Sequence, residues 1–498
     1  MRAIAKCTML FVLAKLFVLN ASAQNHAQLQ IDSNEMLYRP AQHFTPLKGW
    51  MNDPNGMFYL DGVYHLYYQH YPNATVWGPM HWGHATSRDL MHWEHKPIAI
   101  YPDSIGMIFS GSAVVDKNNS SGLGINGKAP LIAIFTQHNM DGEKAGKIDF
   151  QNQSIAYSND GGISWKMYAG NPVVKNPGIK DFRDPKVIWH EASKKWVMIV
   201  AVKNKVSLYS SSNLIAWSKE SDFGTELGSH DGVWECPDLF SLEYNKKQYW
   251  VLTVSINPGG PNKGSATQYF VGNFDGKQFT ANSTKTKWMD YGADNYAGVT
   301  WSNTGDRKIS IGWMSNWLYA QQVPTVNWRS ATTTARALSL QTVKGEMYLS
   351  SLPVKEVKFA ASKSIQGISE KIASAYKINI PSVSLQDFTI SLSNKQGEHI
   401  DFGYDQKTNQ FFIDRTNAGN HDFNSEFAVK HFAPRISNAH STNLEIIIDK
   451  ASIEMFADNG LTVMTDIFFP TSPYTKINVI SKDRSLKEKV TISNYLTP

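Results

Sequence analysis

The sequence predicts an all-β protein, a five-bladed β-propeller followed by a β-sandwich. Three observations point there. Strand-forming residues alternate along most of the 498-residue chain, with little helical periodicity. A loose unit of acid, hairpin, polar turn and aromatic recurs through the earlier part. All 15 tryptophans lie between Trp50 and Trp328, a break in composition that sets a domain boundary near residues 330–355.

The chain opens MRAIAKCTMLFVLAKLFVLNASAQ. Arg2 and Lys6 precede an apolar run from Met9 to Leu19, and Ala21-Ser22-Ala23 fits a small-residue cleavage site. That is the pattern of a secretory signal peptide over residues 1–23, too short and too interrupted by Lys15 to span a bilayer. No later stretch is long and apolar enough to do so. Cleavage would remove Arg2, Lys6 and Lys15 and no acid, taking the formal charge from +5 to +2. A nearly neutral product without a dense Lys/Arg stripe is poorly suited to nucleic acid. Of two cysteines, Cys7 lies in the signal and Cys236 beyond it, so the mature chain forms no internal disulfide. Cys7 also precedes the apolar run, the wrong place for a lipid anchor. The chain reads as an exported soluble protein, periplasmic or extracellular, with no signal for its oligomeric state.

The propeller is expected over residues 24–345. Each unit begins with an acid and a hairpin, as in DPNGMFYLDGVYHLYYQ (53–69), DPKVIWHEASKKWVMIVA (184–201) and CPDLFSLEYNKKQYWVLTV (236–254). Asp61-Gly62 is a good hairpin turn between aromatic and β-branched flanks. Each unit continues with a strand, a polar turn and an aromatic: ATSRDLMHW (85–93), AYSNDGGISW (156–165), LYSSSNLIAW (208–217) and VGNFDGKQF (271–279). A less complete fifth unit runs from DNYAGVTW (294–301) to ISIGWMSNW (309–317). Two hairpins per unit make a four-stranded antiparallel sheet, and about five such sheets close into a propeller. An irregular sandwich would explain the alternation but not the recurring order. Residues 355–498 alternate in shorter strands, as in NLEIIIDKASIEMFADNGLTVMTDIFFP (443–470) with an Asp458-Asn459-Gly460 turn. This second domain reads as a β-sandwich with no evident chemistry.

The repeat gives three acids equivalent places. Asp53, Asp184 and Glu235 stand at or just before the innermost strand of their units, in WMNDPNG, FRDPKV and VWECPD. Each is followed, at once or one residue later, by Pro, which fixes the backbone. Singly, each motif is a turn or an ion pair. Together, three blades would aim three carboxylates into one axial funnel. Crowded like charges push at least one pKa upward, which supplies one ionised nucleophile and one protonated acid.

WMNDPNG (50–56), FRDP (182–185) and WECPD (234–238), in this order, resemble glycoside hydrolase family 32, the invertases, inulinases and levanases. FSGSA (109–113), WGHATSRDLMHWEHKPIAI (82–100) and IEMFADNGLTVMTDIFFP (453–470) extend the resemblance over nearly the whole mature chain. It implies the same propeller-plus-sandwich fold. It further implies Asp53 as nucleophile, Glu235 as general acid/base and Asp184 as transition-state stabiliser holding fructose hydroxyls. Asn52, Gln69, Trp77, Phe109, Ser110, Arg183 and Trp313 would line the fructosyl pocket. Arg183 offers a planar fork that could serve sugar hydroxyls or orient Asp184. Cys236 is expected to be a small buried residue.

The implied reaction is retaining hydrolysis through a covalent fructosyl-enzyme, with no cofactor and no metal. GSHDGVWECPDLF (228–240), WMDYGADNYAGVTW (288–301) and NWLYAQQVPTVNWRSATTTARALSL (316–340) look most like levanases and exo-inulinases. One departure is ATTTARAL (331–338), where Ala335-Arg336 replaces the Pro-Arg pair of many relatives, at the expected pocket rim. The expectation is an exo-acting enzyme taking terminal fructose from levan, with inulin and sucrose as lesser substrates. A sucrose-preferring invertase, an endo-acting levanase, a non-catalytic fructan-binding protein and an arabinan hydrolase are the alternatives.

Overall fold

The computed structural model describes residues 33, 35–365, 368–370 and 372–496; the segment read as a signal peptide lies outside the described residues. Five antiparallel sheets follow one another as the blades of a propeller, and two six-stranded sheets form a β-sandwich after them. The innermost blade strands are Gly49–Leu60, Met107–Val115, Phe182–His190, Val233–Tyr244 and Tyr296–Thr300. In the first blade, Asp61 and Gly62 take φ of 49° and 81° between the paired residues Leu60 and Val63. Two consecutive positive φ values are what the twist of a two-residue hairpin requires.

Five apolar cores separate the five blades. Phe58 and Trp82 meet Phe135 between the first and second, and Ile134 meets Met198 between the second and third. Leu208 meets Leu252 in the next gap, Val271 meets Leu340 in the fourth, and Tyr64 meets Ile311 in the last. Each large side chain so buried contributes about 1.5–3 kcal/mol. Gly56, at the end of WMNDPNG, serves this packing directly. Its φ is +53°, and a Cβ there would come within 2.4 Å of the Trp82 ring.

The ring closes between the fifth and first blades. Gly49 and Trp50 pair in parallel with Trp328 and Arg329. Ser302 accepts from Tyr59 N–H at 3.0 Å and donates its own N–H to Met57 O at 3.0 Å. The outer strand of the fifth blade, Glu346–Pro353, ends ten residues before the first sandwich strand, Lys363–Ser364.

The sandwich strands show the period of two that half-buried strands require: buried and part-exposed residues alternate along Phe388–Ser393. Ile390, Phe402, Ile446 and Met455 lie in the core between its two sheets. Among the described residues no helix is long and apolar enough to cross a membrane.

Buried ion pairs join the two domains. Arg336, from ATTTARAL, donates to Asp290 at 2.9 Å and to Glu454. It therefore lies in the domain interface, and the departure at Ala335-Arg336 bears on this junction. His43 bridges Asp449 at 2.8 Å and Glu454 at 2.9 Å. Burial opposes the charged imidazole, but the two carboxylates outweigh it and lift His43 to about 9. Arg415 of the sandwich donates to Asp294 of the propeller at 2.8 Å.

Candidate active site

All five innermost strands carry an irregularity at the same end. In four of them the register shifts fall between Met51 and Pro54, Ile108 and Gly111, Glu235 and Asp238, and Tyr296 and Val299. In the third blade Arg183 pairs with Ala201 and Lys186 with Ile199, which leaves Asp184 and Pro185 opposite one residue. A bulge re-aims the side chain it carries. The residues so turned include Asp53, Ser110, Asp184 and Cys236, whereas Glu235 keeps its pairing with Ser255 just ahead of the fourth-blade shift.

Asp53 lies on the floor, 9% exposed. It accepts from Ser110 Oγ at 2.6 Å, from Asn52 Nδ2 at 3.0 Å and from Cys236 Sγ at 3.3 Å. Burial raises its pKa above the ordinary carboxylate value, and the Glu235 charge adds to this. The donors Ser110, Asn52 and Cys236 pull the other way by stabilising the anion. Asp184, 5% exposed, accepts from the Cys236 backbone N–H at 2.9 Å, with the Cys236 sulfur 3.6 Å away. Burial raises it to about 7; Arg183 opposes the rise, and Glu235 and Asp53 reinforce it.

Glu235 is the most open of the three, with 22% of its side chain exposed. Arg183 holds it: Nε and Nη2 both stand 3.0 Å from Oε1. The remaining guanidinium nitrogen donates to Asp181 at 2.7 Å, so the Arg183 fork is spent on Glu235 and Asp181 and does not orient Asp184. The Tyr296 hydroxyl donates to the other Glu235 oxygen. Three carboxylates from three blades thus surround Cys236 and Arg183.

The other expected pocket residues differ in how they are placed. Asn52 and Ser110 touch Asp53. Gln69 is buried and reaches across to the second blade, donating to Asn55 Oδ1 at 2.8 Å and Ile108 O at 3.0 Å. Trp77 and Phe109 are half-buried and meet edge to face with centroids 6.1 Å apart. Trp313 has no exposed surface. It packs behind Trp50 at 5.9 Å and against Trp317 at 4.9 Å. Trp317, half-buried, is the ring of that pair with surface to offer.

Two residues beyond that set join the site. Tyr296 comes from DNYAGVTW, the fifth unit, so the repeat itself carried the signal. Cys236 is small and buried, as expected, yet its thiol and amide also bind two of the acids. Burial, with Asp184, Asp53 and Glu235 nearby, pushes that thiol far above its ordinary pKa, so it remains a protonated donor. Among the described residues no group of three or more His, Cys, Asp or Glu side chains is arranged to hold a metal ion.

The model for the glycosyl hydrolases family 32 N-terminal domain matches residues 43–352, and that for the family 32 C-terminal domain matches residues 336–494. A levanase of Bacillus subtilis (strain 168) is 44% identical over 477 residues, 91% of this chain and 69% of the relative. An extracellular exo-inulinase of Aspergillus niger is 38% identical, covering 89% of this chain and 92% of its own length. Among solved structures, an exo-inulinase from Aspergillus awamori superposes with a TM-score of 0.85 at 35% identity, over 92% of this chain and 98% of its own. A fructofuranosidase from Schwanniomyces occidentalis complexed with fructose superposes with a TM-score of 0.84 at 34% identity, over 93% and 99%.

Proposed function

This chain belongs to glycosyl hydrolases family 32, and from that premise we propose that it removes terminal fructose from β-fructans with retention of configuration. Levan is the favoured substrate, with inulin and sucrose accepted. The observation that carries the proposal is the convergence of Asp53, Asp184 and Glu235, from three blades, around Cys236 and Arg183.

Their surroundings divide the work. Asp53, on the floor with three donors on its carboxylate, attacks the anomeric carbon of the bound fructosyl unit. Glu235, open to solvent at the mouth, gives its proton to the departing glycosidic oxygen. The bond to the leaving group breaks as the bond to Asp53 forms, through an oxocarbenium-like transition state. Asp184 lies on the other side of Cys236 and, as a carboxylate, accepts hydrogen bonds from ring hydroxyls, placing negative charge where positive charge develops. Water then enters, Glu235 takes its proton, and the ester to Asp53 is cleaved to free fructose.

The higher identity to a levanase than to the exo-inulinases supports the levan preference. The leader sequence supports an exported enzyme. Chromatography of products from levan, inulin and sucrose in parallel tests the reading. Fructose alone from levan, released faster than from inulin, is the expected result. Oligosaccharides from levan would make the enzyme endo-acting, and no fructose from any of the three would overturn the proposal.

A further inference from the structure

The propeller has a second mouth. A cavity of about 520 Å³ opens at the other end of the innermost strands, beyond Val115, Trp189, Ser241 and Thr300. It is separate from the acids. Lys186 Nζ donates to Asp238 Oδ2 at 3.1 Å and to Thr300 O at 2.5 Å, and Thr300 N–H donates to Asp238 at 2.6 Å. This buried layer ties the third, fourth and fifth blades together between the two ends of the axis.

We propose that this distal cavity binds a second stretch of neutral fructan chain. The proposal rests on the fructan-hydrolase reading for the choice of polysaccharide. The half-exposed Trp189 and Trp250 offer apolar faces to it. Trp189 Nε1 donates to Glu191 at 2.6 Å, and its ring meets Trp196 edge to face, with centroids 5.1 Å apart. Trp250 is held edge to face against Phe274 at 5.2 Å. Both rings are therefore fixed before any ligand arrives, which lowers the ordering cost of binding.

The polar lining suits a sugar better than an ion. Lys117 and Lys308 line the cavity together with Asp116 and Glu191, so neither sign dominates. Lys186 is already committed to Asp238 and Thr300. Asp116 is saturated by Ser120 N–H and Oγ and Ser121 N–H, at 2.8, 2.9 and 2.8 Å. What remains is a pair of indole faces rimmed by Asn118, Ser241 and Asn303, in a volume within the usual range for small-molecule sites. Carbon–hydrogen faces flanked by hydroxyls match that surface. A polymer held there stays tethered to the enzyme, which raises the effective concentration of its free ends at the catalytic mouth.

The test compares Trp189→Ala, which removes one face, with Asn118→Trp, an exposed position where added bulk fills the cavity without disturbing packing. Retardation on native gels containing levan is read in an Asp53→Asn background so that polymer is not consumed, and sucrose turnover is read in the parent background. Both variants should keep sucrose kcat/KM within about twofold while weakening retardation about three- to tenfold, the loss expected for one aromatic contact. If Trp189→Ala does not fold, Asn118→Trp alone decides. Unchanged retardation in folded variants overturns the proposal. Weakened retardation from an enzyme that releases no fructose would keep the distal site and remove the catalytic reading instead.

Discussion

Replacing Asp184 with Asn should stabilise the protein at neutral pH while removing most of its activity. Burial, opposed by Arg183 and reinforced by Glu235 and Asp53, raises this carboxyl from 3.8 to about 7. A group raised in the folded state contributes stability that is complete below its unfolded pKa and lost as pH climbs through the folded value. The gap corresponds to roughly 4 kcal/mol at most, so above pH 7 the folded protein carries a charge it holds at a cost. Asn has nearly the same shape and keeps an oxygen for the Cys236 N–H. Arg183 keeps Glu235 and Asp181 as partners, so no cation is orphaned. The variant should melt about 2–4 °C above the parent at pH 8, with the difference vanishing toward pH 4. Sucrose kcat/KM should fall at least about 100-fold, as expected on deleting a group that stabilises transition-state charge. Calorimetry across that pH range and initial rates supply both readings. A lower melting temperature at pH 8 would refute the strained-acid argument, and retained turnover would remove Asp184 from the chemistry.

Glu235→Gln should lower sucrose turnover by about 10²–10⁴-fold but spare an aryl fructoside whose leaving group needs no proton; equal losses on both would contradict a general-acid role. Cys236→Ala removes a donor that favours ionised Asp53, so kcat should drop by about tenfold or less and the acidic limb of the pH–rate profile should move upward. Cys236→Ser should restore most of both, and an unmoved limb in the Ala variant would show that the thiol does not tune Asp53. His43 is held at about 9 by two interface carboxylates, so its stabilising share is complete below about 6.5 and disappears as pH rises through 9. The melting-temperature deficit of His43→Phe should therefore be largest near pH 6 and narrow toward pH 9; a deficit independent of pH would mean that the imidazole acts by shape alone.

The strand alternation and the recurring units made the propeller legible, because blade formation depends on local pattern and turn chemistry. The three acids were legible for the same reason, each occupying one place in its own unit. Trp313 shows where pattern stops. Its motif resembles a pocket residue, but its ring is wholly enclosed among Trp50, Tyr296 and Trp317, and no composition rule locates such packing. Asp294 illustrates the same limit: it opens the fifth unit as an acid, yet it turns into the domain interface to meet Arg415 and Tyr319, leaving Tyr296 to face the axis. The interface itself was invisible. His43 and Asp449 stand 406 residues apart, and nothing local to either names its partner.

The bulges carry backbone strain, and the ring absorbs it blade by blade. Asp184, Cys236 and Ala297 take φ of 66°, 45° and 53°, conformations that cost of order 1 kcal/mol or more each for residues with a Cβ. Each also turns an N–H away from its regular ladder partner, and each of those is captured by a side chain of the preceding blade. Asp184 N–H donates to Thr136 Oγ1 at 2.9 Å, Cys236 N–H to Asp184 Oδ2 at 2.9 Å, and Ala297 N–H to Ser255 Oγ at 3.1 Å. The Lys186–Asp238–Thr300 layer fixes the same strands a few residues further along. The acids are therefore positioned by their neighbours around the ring rather than by their own strands. A single blade could form its hairpins alone but could not hold its acid where the chemistry needs it, which is why the site exists only once the propeller has closed.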